Sequence, residues 1–256
     1  MNAATTTGPT LLARTFRAEW SRLWTVRTTW WFVVAATVGV LGLGTLLGLE
    51  SASDPVALQG QPAWDNAQVL MMPAQLVLLG LVVLAVTADH ATGGIVLSLQ
   101  WTPRRTVLFA ARALVTVATA TVLGVLLMVG AAVLADATAG AALTLPLDEA
   151  ASAVGEVGLV LLAGSALAVG LGSVLRSTAG ALIGVFLLVV VLPLVLPLFG
   201  ERVREVADAL PGAGAIFLLT GSGDLTTTSS VVVLTVWGVG ALVLGCLRLV
   251  RDDADR

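Results

Sequence analysis

The sequence predicts an all-α integral membrane protein with six transmembrane helices, both termini cytoplasmic, and an N-terminal amphipathic helix lying in the membrane interface. Three observations predict it. Of the 256 residues, 57% are hydrophobic and 11% charged, and the mean hydropathy is +0.99; soluble domains are about half apolar and about a quarter charged. The apolar residues gather into six runs, most of them near the roughly 20 residues that cross a hydrocarbon core about 30 Å thick at about 1.5 Å per residue. The arginines are distributed unevenly between the loops, which sets orientation.

Residues 1–9 read as a disordered polar tip. In residues 10–29 apolar and basic side chains recur at helical spacing. Leu12, Phe16, Trp20, Leu23 and Trp24 share one face, while Arg14, Arg17, Arg22 and Arg27 fill much of the remainder. That is the build of a helix lying at the headgroups, apolar side down and cations toward anionic lipid; the plainer alternative is a basic flank of the first span.

The first span is residues 30–49, uncharged, with Trp30 and Trp31 where aromatic rings favour the membrane boundary. Ser51-Ala52-Ser53 resembles a signal-peptidase site, but the basic region before it and the apolar run itself are both long for a signal peptide. The acidic stretch 50–66 then forms an outer loop. Residues 69–86 make the second span, with Pro73 near its outer end, where a lost backbone hydrogen bond is best tolerated.

A polar, glycine- and arginine-bearing break over residues 89–112 leads into the third run, 107–135. Arg112 lies near its cytoplasmic end and is read as a snorkelling anchor. After an outer loop at 136–149, the fourth span covers 157–175, preceded by Glu156. Gly164, Ala168 and Gly172 repeat every fourth residue within it, and Gly180 and Gly184 form a GxxxG in the fifth span, 179–199. Small residues at that spacing let helices approach closely.

Pro193 and Pro197 predict a kinked or broken fifth helix facing protein. The long segment 201–230 reads as a surface helix followed by a shallow re-entrant element on the outer side. The sixth span is 231–250, and 251–256 form a charged tail.

With both termini inside, eleven arginines lie on the inner side (Arg14, Arg17, Arg22, Arg27, Arg104, Arg105, Arg112, Arg176, Arg248, Arg251 and Arg256) and only Arg202 and Arg204 outside. The opposite topology inverts the positive-inside bias.

Composition also excludes functions. All 13 basic residues are Arg, so the chain has no GxxxxGK[ST] loop, whose Lys reaches nucleotide phosphates. A net charge of −3 gives no electrostatic footprint for nucleic acid. Cys246 is the single cysteine, which forbids an intramolecular disulfide or a Cys-rich metal site and reads as a small buried residue. His90 is the only histidine and reads as a solvated loop residue, and Thr220-Gly221-Ser222-Gly223 lacks the first Gly of GxSxG. No catalytic set and no metal site is visible, so the chain itself is not expected to be an enzyme.

Several stretches, taken together, resemble a family. The run Arg17-Ala18-Glu19-Trp20-Ser21-Arg22-Leu23-Trp24-Thr25-Val26-Arg27-Thr28-Thr29-Trp30 is similar to an Arg-x-Glu-x-x-Lys-Leu-x-Thr-x-Arg-x-x-Trp opening. Asp89-His90-Ala91-Thr92-Gly93-Gly94-Ile95 is similar to a Glu, an aromatic or His, and Gly-Thr-Ile segment; Thr102-Pro103-Arg104-Arg105 and Leu175-Arg176-Ser177-Thr178-Ala179-Gly180 follow in order. The chain resembles the permease subunits of type-2 ABC exporters, particularly the small six-span members of high-GC Gram-positive bacteria. It departs from them at Arg22, where Lys is usual, at Asp89 for Glu and at Gly94 for Thr or Ser.

The resemblance implies a multi-pass protein of a bacterial plasma membrane that works with a separate cytoplasmic ATPase subunit, which binds ATP and Mg; this chain holds no cofactor. It also implies a second copy of the chain or a related permease, outer re-entrant elements, and a coupling segment near 88–105. Asp89, His90, Thr92, Gly93, Gly94, Pro103, Arg104 and Arg105 are then the expected contacts with the ATPase, and Arg17, Glu19, Trp20, Arg22, Arg27 and Trp30 the signature of the interfacial helix. Gly93 and Gly94 permit a tight turn, while Arg104 and Arg105 either pair with acidic groups on the partner or anchor in headgroups. The rival reading is a non-transporting membrane anchor or immunity-type subunit. The transported substrate stays open between lipids, peptides and hydrophobic drugs.

Overall fold

The computed structural model describes residues 8–53, 60–91, 105–140 and 142–251. A short helix α1 (Gly8–Thr25) precedes six helices long and apolar enough to span a bilayer. These are α2 (Arg27–Ser53), α3 (Ala63–Ala91), α4 (Arg105–Ala139), α5 (Leu147–Leu175), the composite α6 (Thr178–Phe199) and α9 (Thr227–Arg251). Between the last two lie α7 (Glu201–Asp208) and α8 (Pro211–Thr220). The protein is an all-helical, six-span membrane protein.

The helices run past the apolar stretches that announce them. Hydropathy falls where the bilayer ends, whereas a helix continues until its end groups find other partners. Thus α5 starts at Leu147, with Asp148 and Glu149 in its first turn, where carboxylates favour the positive helix end. Glu156 consequently lies well inside the helix rather than before it. At the other end of α5 the chain stops on Arg176, whose left-handed φ of 52° lets its N–H return to the Gly172 carbonyl. Similarly, α1 ends at Thr25 and α2 begins at Arg27, so the short N-terminal helix and the first span meet at a bend on Val26.

α3 and α5 form the centre of the bundle. Buried residues make up 56% and 67% of their apolar stretches, against 17% for α6. Met71, Leu78, Leu79, Val82, Val83 and Val86 of α3 meet Val160, Leu161 and Leu167 of α5 in one core. α2 closes on α4 where a Cβ on Gly44 would come within 2.9 Å of the Ala131 Cβ. α5 and α9 also cross closely, because a Cβ on Gly245 would lie 3.2 Å from the Cα of Gly170. Cys246, beside that crossing, is half-buried rather than enclosed.

The end of the bundle away from the termini carries a contact absent from the hydropathy pattern. β1 (Gln61–Pro62) pairs in parallel with β2 (Leu143–Thr144), in the register Gln61 to Leu143 and Pro62 to Thr144. Trp64 Nε1 adds a 2.9 Å bond to the Pro146 carbonyl. The 2-3 and 4-5 connections are thereby tied together.

α6 is broken by its prolines. It is α-helical over Thr178–Phe186, widens to a π-turn at Leu187–Val191, returns to α at Leu192–Val195 and tightens to a 3₁₀ turn at Leu196–Phe199. Pro193 has no N–H to offer the Val189 carbonyl four residues back, and the ladder widens just before it, the Leu192 N–H going to Leu187 O. Gly212 of α8 packs against that Val189 carbonyl and Pro193, in a space a Cβ would fill. Gly200, with φ 109°, then reverses the chain.

α7 and α8 dip back into the bundle. Trp237 Nε1 donates to the Ala209 carbonyl at 2.7 Å, and Trp237 stands ten residues inside α9, about 15 Å along the helix. α8 returns outward and ends on Gly221, left-handed at φ 65°, whose N–H caps Phe217 O. A reciprocal Thr226 and Ser229 cap opens α9.

Candidate functional site

Two of the polar contacts that join separate elements at the termini-bearing end meet on α1. Its buried face carries Thr15 and Leu23, with Glu19 between them at four-residue spacing, and packs on α4. Leu23 therefore faces protein rather than sharing the lipid-side stripe. The neighbouring face is a ladder of rings: Phe16 stacks on Trp20, Trp20 tilts against Trp24, and Trp24 meets Trp30 with centroids 5.4 Å apart. Trp30 Nε1 donates to the Trp24 carbonyl at 3.1 Å, stapling the α1–α2 bend. Arg14, Arg17 and Arg27 are exposed, as is Trp20.

Arg112 is not the snorkelling anchor its position suggested. It is buried, 7% exposed, and donates through Nε and Nη2 to the two carboxylate oxygens of Glu19, each at 3.2 Å. A charge two turns into a span needs a partner more than it needs the headgroups, since an uncompensated charge in low dielectric is costly. Arg22 also departs from a purely headgroup-facing role: Nη2 donates to the Ala85 carbonyl of α3 at 2.7 Å, and Nε lies 3.8 Å from Glu19. One carboxylate on α1 thus fixes that helix to α4 directly, while its neighbouring arginine fixes it to α3.

These contacts frame a mostly apolar cavity of about 240 Å³ between α1, α2, α3 and α4, bounded by Leu23, Val26, Leu81, Leu84 and Val115, with Glu19 and Arg22 on its wall.

α3 and α4 are the two helices joined by the break near residues 88–105. Asp89 and His90 belong to the last turn of α3, so His90 is helical rather than in a loop. Thr92, Gly93, Gly94, Pro103 and Arg104 lie outside the described residues. Arg105 opens α4, and its Nη1 donates to the Leu249 carbonyl in the last turns of α9 at 3.3 Å. Thr87 Oγ1 donates to Val83 O and shares a 2.8 Å hydrogen bond with Thr178 Oγ1 at the start of α6. At the termini-bearing end, α1, α3, α4, α6 and α9 are therefore linked by named polar contacts.

The small-residue stripes divide. A Cβ on Gly164 would meet Leu79 at 3.2 Å, one on Gly172 would meet Val86 and Thr87 at 3.3 Å, and Ala168 is fully buried; this stripe receives side chains of α3. Gly184 faces Leu171 of α5, whereas the space at Gly180 is bounded only by Ser177 and Leu175 of its own turn. Sequence reading missed the close α5–α9 crossing, Gly170 on Gly245 with Gly238 against Ala163. Its signal was the Gly238, Ala241, Gly245 series in the last span.

The chain matches no protein-family model and has no significant match among curated proteins. Among the described residues, no group of three or more His, Cys, Asp or Glu is placed to hold a metal. The site at the termini-bearing end is a set of polar linkages between helices.

Proposed function

We propose that the chain is the membrane-spanning permease subunit of an ATP-driven exporter of the ABC type in a bacterial cell membrane. A separate cytoplasmic ATPase supplies ATP hydrolysis, and a second copy of this chain or a related permease completes the transporter. The observation that supports this most is the clamp at Glu19. The segment 92–104 connects α3 to α4, and α1 is held to both helices, through Arg22 on Ala85 and Glu19 on Arg112. A displacement of that segment moves α1, α3 and α4 together, and Arg105 carries it to α9. Such rigidity suits a helix set driven from outside; a passive anchor has no use for it. The re-entrant α7–α8 pair at the opposite end adds support, because non-spanning elements at membrane depth are retained where they line protein or a pathway.

Co-expression with a candidate Walker-type ABC ATPase tests the reading. The pair should co-purify, and in proteoliposomes should show transport-coupled ATP hydrolysis that falls at least about tenfold in the Asp89→Asn, Arg105→Ala double variant. No association with the ATPase, or unchanged coupling in the variant, overturns it.

A further inference from the structure

At the end of the bundle opposite the termini, a cavity of about 380 Å³ opens between α3, α5, α8 and the start of α9. Asp65, Gln68, Glu156 and Thr220 supply its polar wall, and Val69 and Phe217 part of its apolar one. Gln68 is more than nine-tenths buried, at 8% exposed. Its Nε2 donates to Glu156 Oε2 at 2.7 Å, which leaves its own amide oxygen and the second Glu156 oxygen without a hydrogen-bond donor among the described residues.

Three acceptors thus line one pocket, two of them carboxylates, and no Arg lines it. The chain has no Lys at all. Asp65 lies in the first turn of α3, where the helix end offsets part of its charge. Glu156 has no such explanation, because Asp148 and Glu149 already occupy the first turn of α5 and Glu156 lies beyond it. Glu156 is held by a neutral amide, and among the described residues no counter-charge lines the cavity. A positively charged guest supplies that counter-charge, and the surplus of acceptors over donors selects one carrying N–H groups. The apolar wall at Phe217 and Val69 selects an organic substituent, and an aromatic face beside a cation is itself attractive.

We infer that this cavity is a binding site for a small organic ammonium ion, with Glu156 as the principal counter-charge, Asp65 as the second, and Gln68 as the residue that orients Glu156. The inference does not rest on the permease reading, since it concerns equilibrium binding to the chain alone.

The test is binding of benzylammonium to the purified full chain in lipid nanodiscs, followed by calorimetry and by the shift in melting temperature, with benzyl alcohol as the uncharged control. Benzylammonium should bind and raise the melting temperature, and benzyl alcohol should bind at least about tenfold more weakly. Glu156→Gln should abolish the difference between the two, and Asp65→Asn, at an exposed position, should weaken benzylammonium binding several-fold with the fold intact. Equal binding of alcohol and ammonium overturns the inference, as does ammonium binding insensitive to both substitutions. A Glu156-dependent response to sodium or calcium in place of benzylammonium overturns it as well.

Discussion

Arg112 grips both carboxylate oxygens of Glu19, 3.2 Å to each, across 93 residues of sequence. Both side chains are about nine-tenths buried. Breaking a buried ion pair by removing one member costs up to about 3–5 kcal/mol. Arg112→Ala and Glu19→Leu should each lower the thermal midpoint in detergent sharply and expose residues 8–25 to protease. Arg112→Met combined with Glu19→Leu should recover much of the loss, because a matched apolar pair carries no stranded charge. Singles as stable as the parent chain would refute the clamp.

The α5–α9 crossing gives a steric prediction. A Cβ on Gly170 would run into the Ala241 carbonyl, whereas Gly240, one position away on α9, faces open space. Gly170→Ala should destabilise by about 1–3 kcal/mol through overpacking. Gly240→Ala should be neutral or stabilising by about 0.5–1 kcal/mol, since an unconstrained glycine weakens a helix interior. Chemical denaturation in mixed micelles distinguishes the two.

Trp237 pins the α7–α8 corner through its bond to Ala209 O. Trp237→Phe keeps a ring and loses the donor, a loss of about 1 kcal/mol. Hydrogen exchange over residues 201–220 should quicken while α3 and α5 stay protected. Uniform acceleration across all spans would show that the indole supports the whole bundle instead.

Arg176 holds a left-handed backbone, φ 52°, without being glycine. Arg176→Ala and Arg176→Gly both delete the side chain, so their difference isolates the backbone. The glycine variant should be the more stable by about 1–2 kcal/mol, the penalty that a Cβ pays in this region. Equal melting curves would place the strain elsewhere.

The six spans, the broken α6 and the short helix before the first span were legible in the sequence because each depends on a local property. Twenty apolar residues, a proline in a helix, or arginines on one face can be summed without knowing what lies across the bundle. Glu19 and Arg112 were both conspicuous, as an acidic residue among four arginines and as the single charge of the third apolar run. Their pairing was not legible, because it depends on how α1 folds back over α4. The acidic cavity was hidden for the same reason. Glu156 reads as a span boundary until α5 is seen to begin at Leu147, and Gln68 reads as an ordinary polar residue 88 positions away.

Sequence by itself determined the solvent, through the total of apolar burial each segment demands, and it set the orientation expected from the arginine count. Tertiary structure decided which polar groups meet. Inside a bilayer every segment is already apolar, so hydropathy does not rank one neighbour over another. Close packing at Gly170 and Gly245 and the need to pair a buried charge such as Arg112 supply that choice.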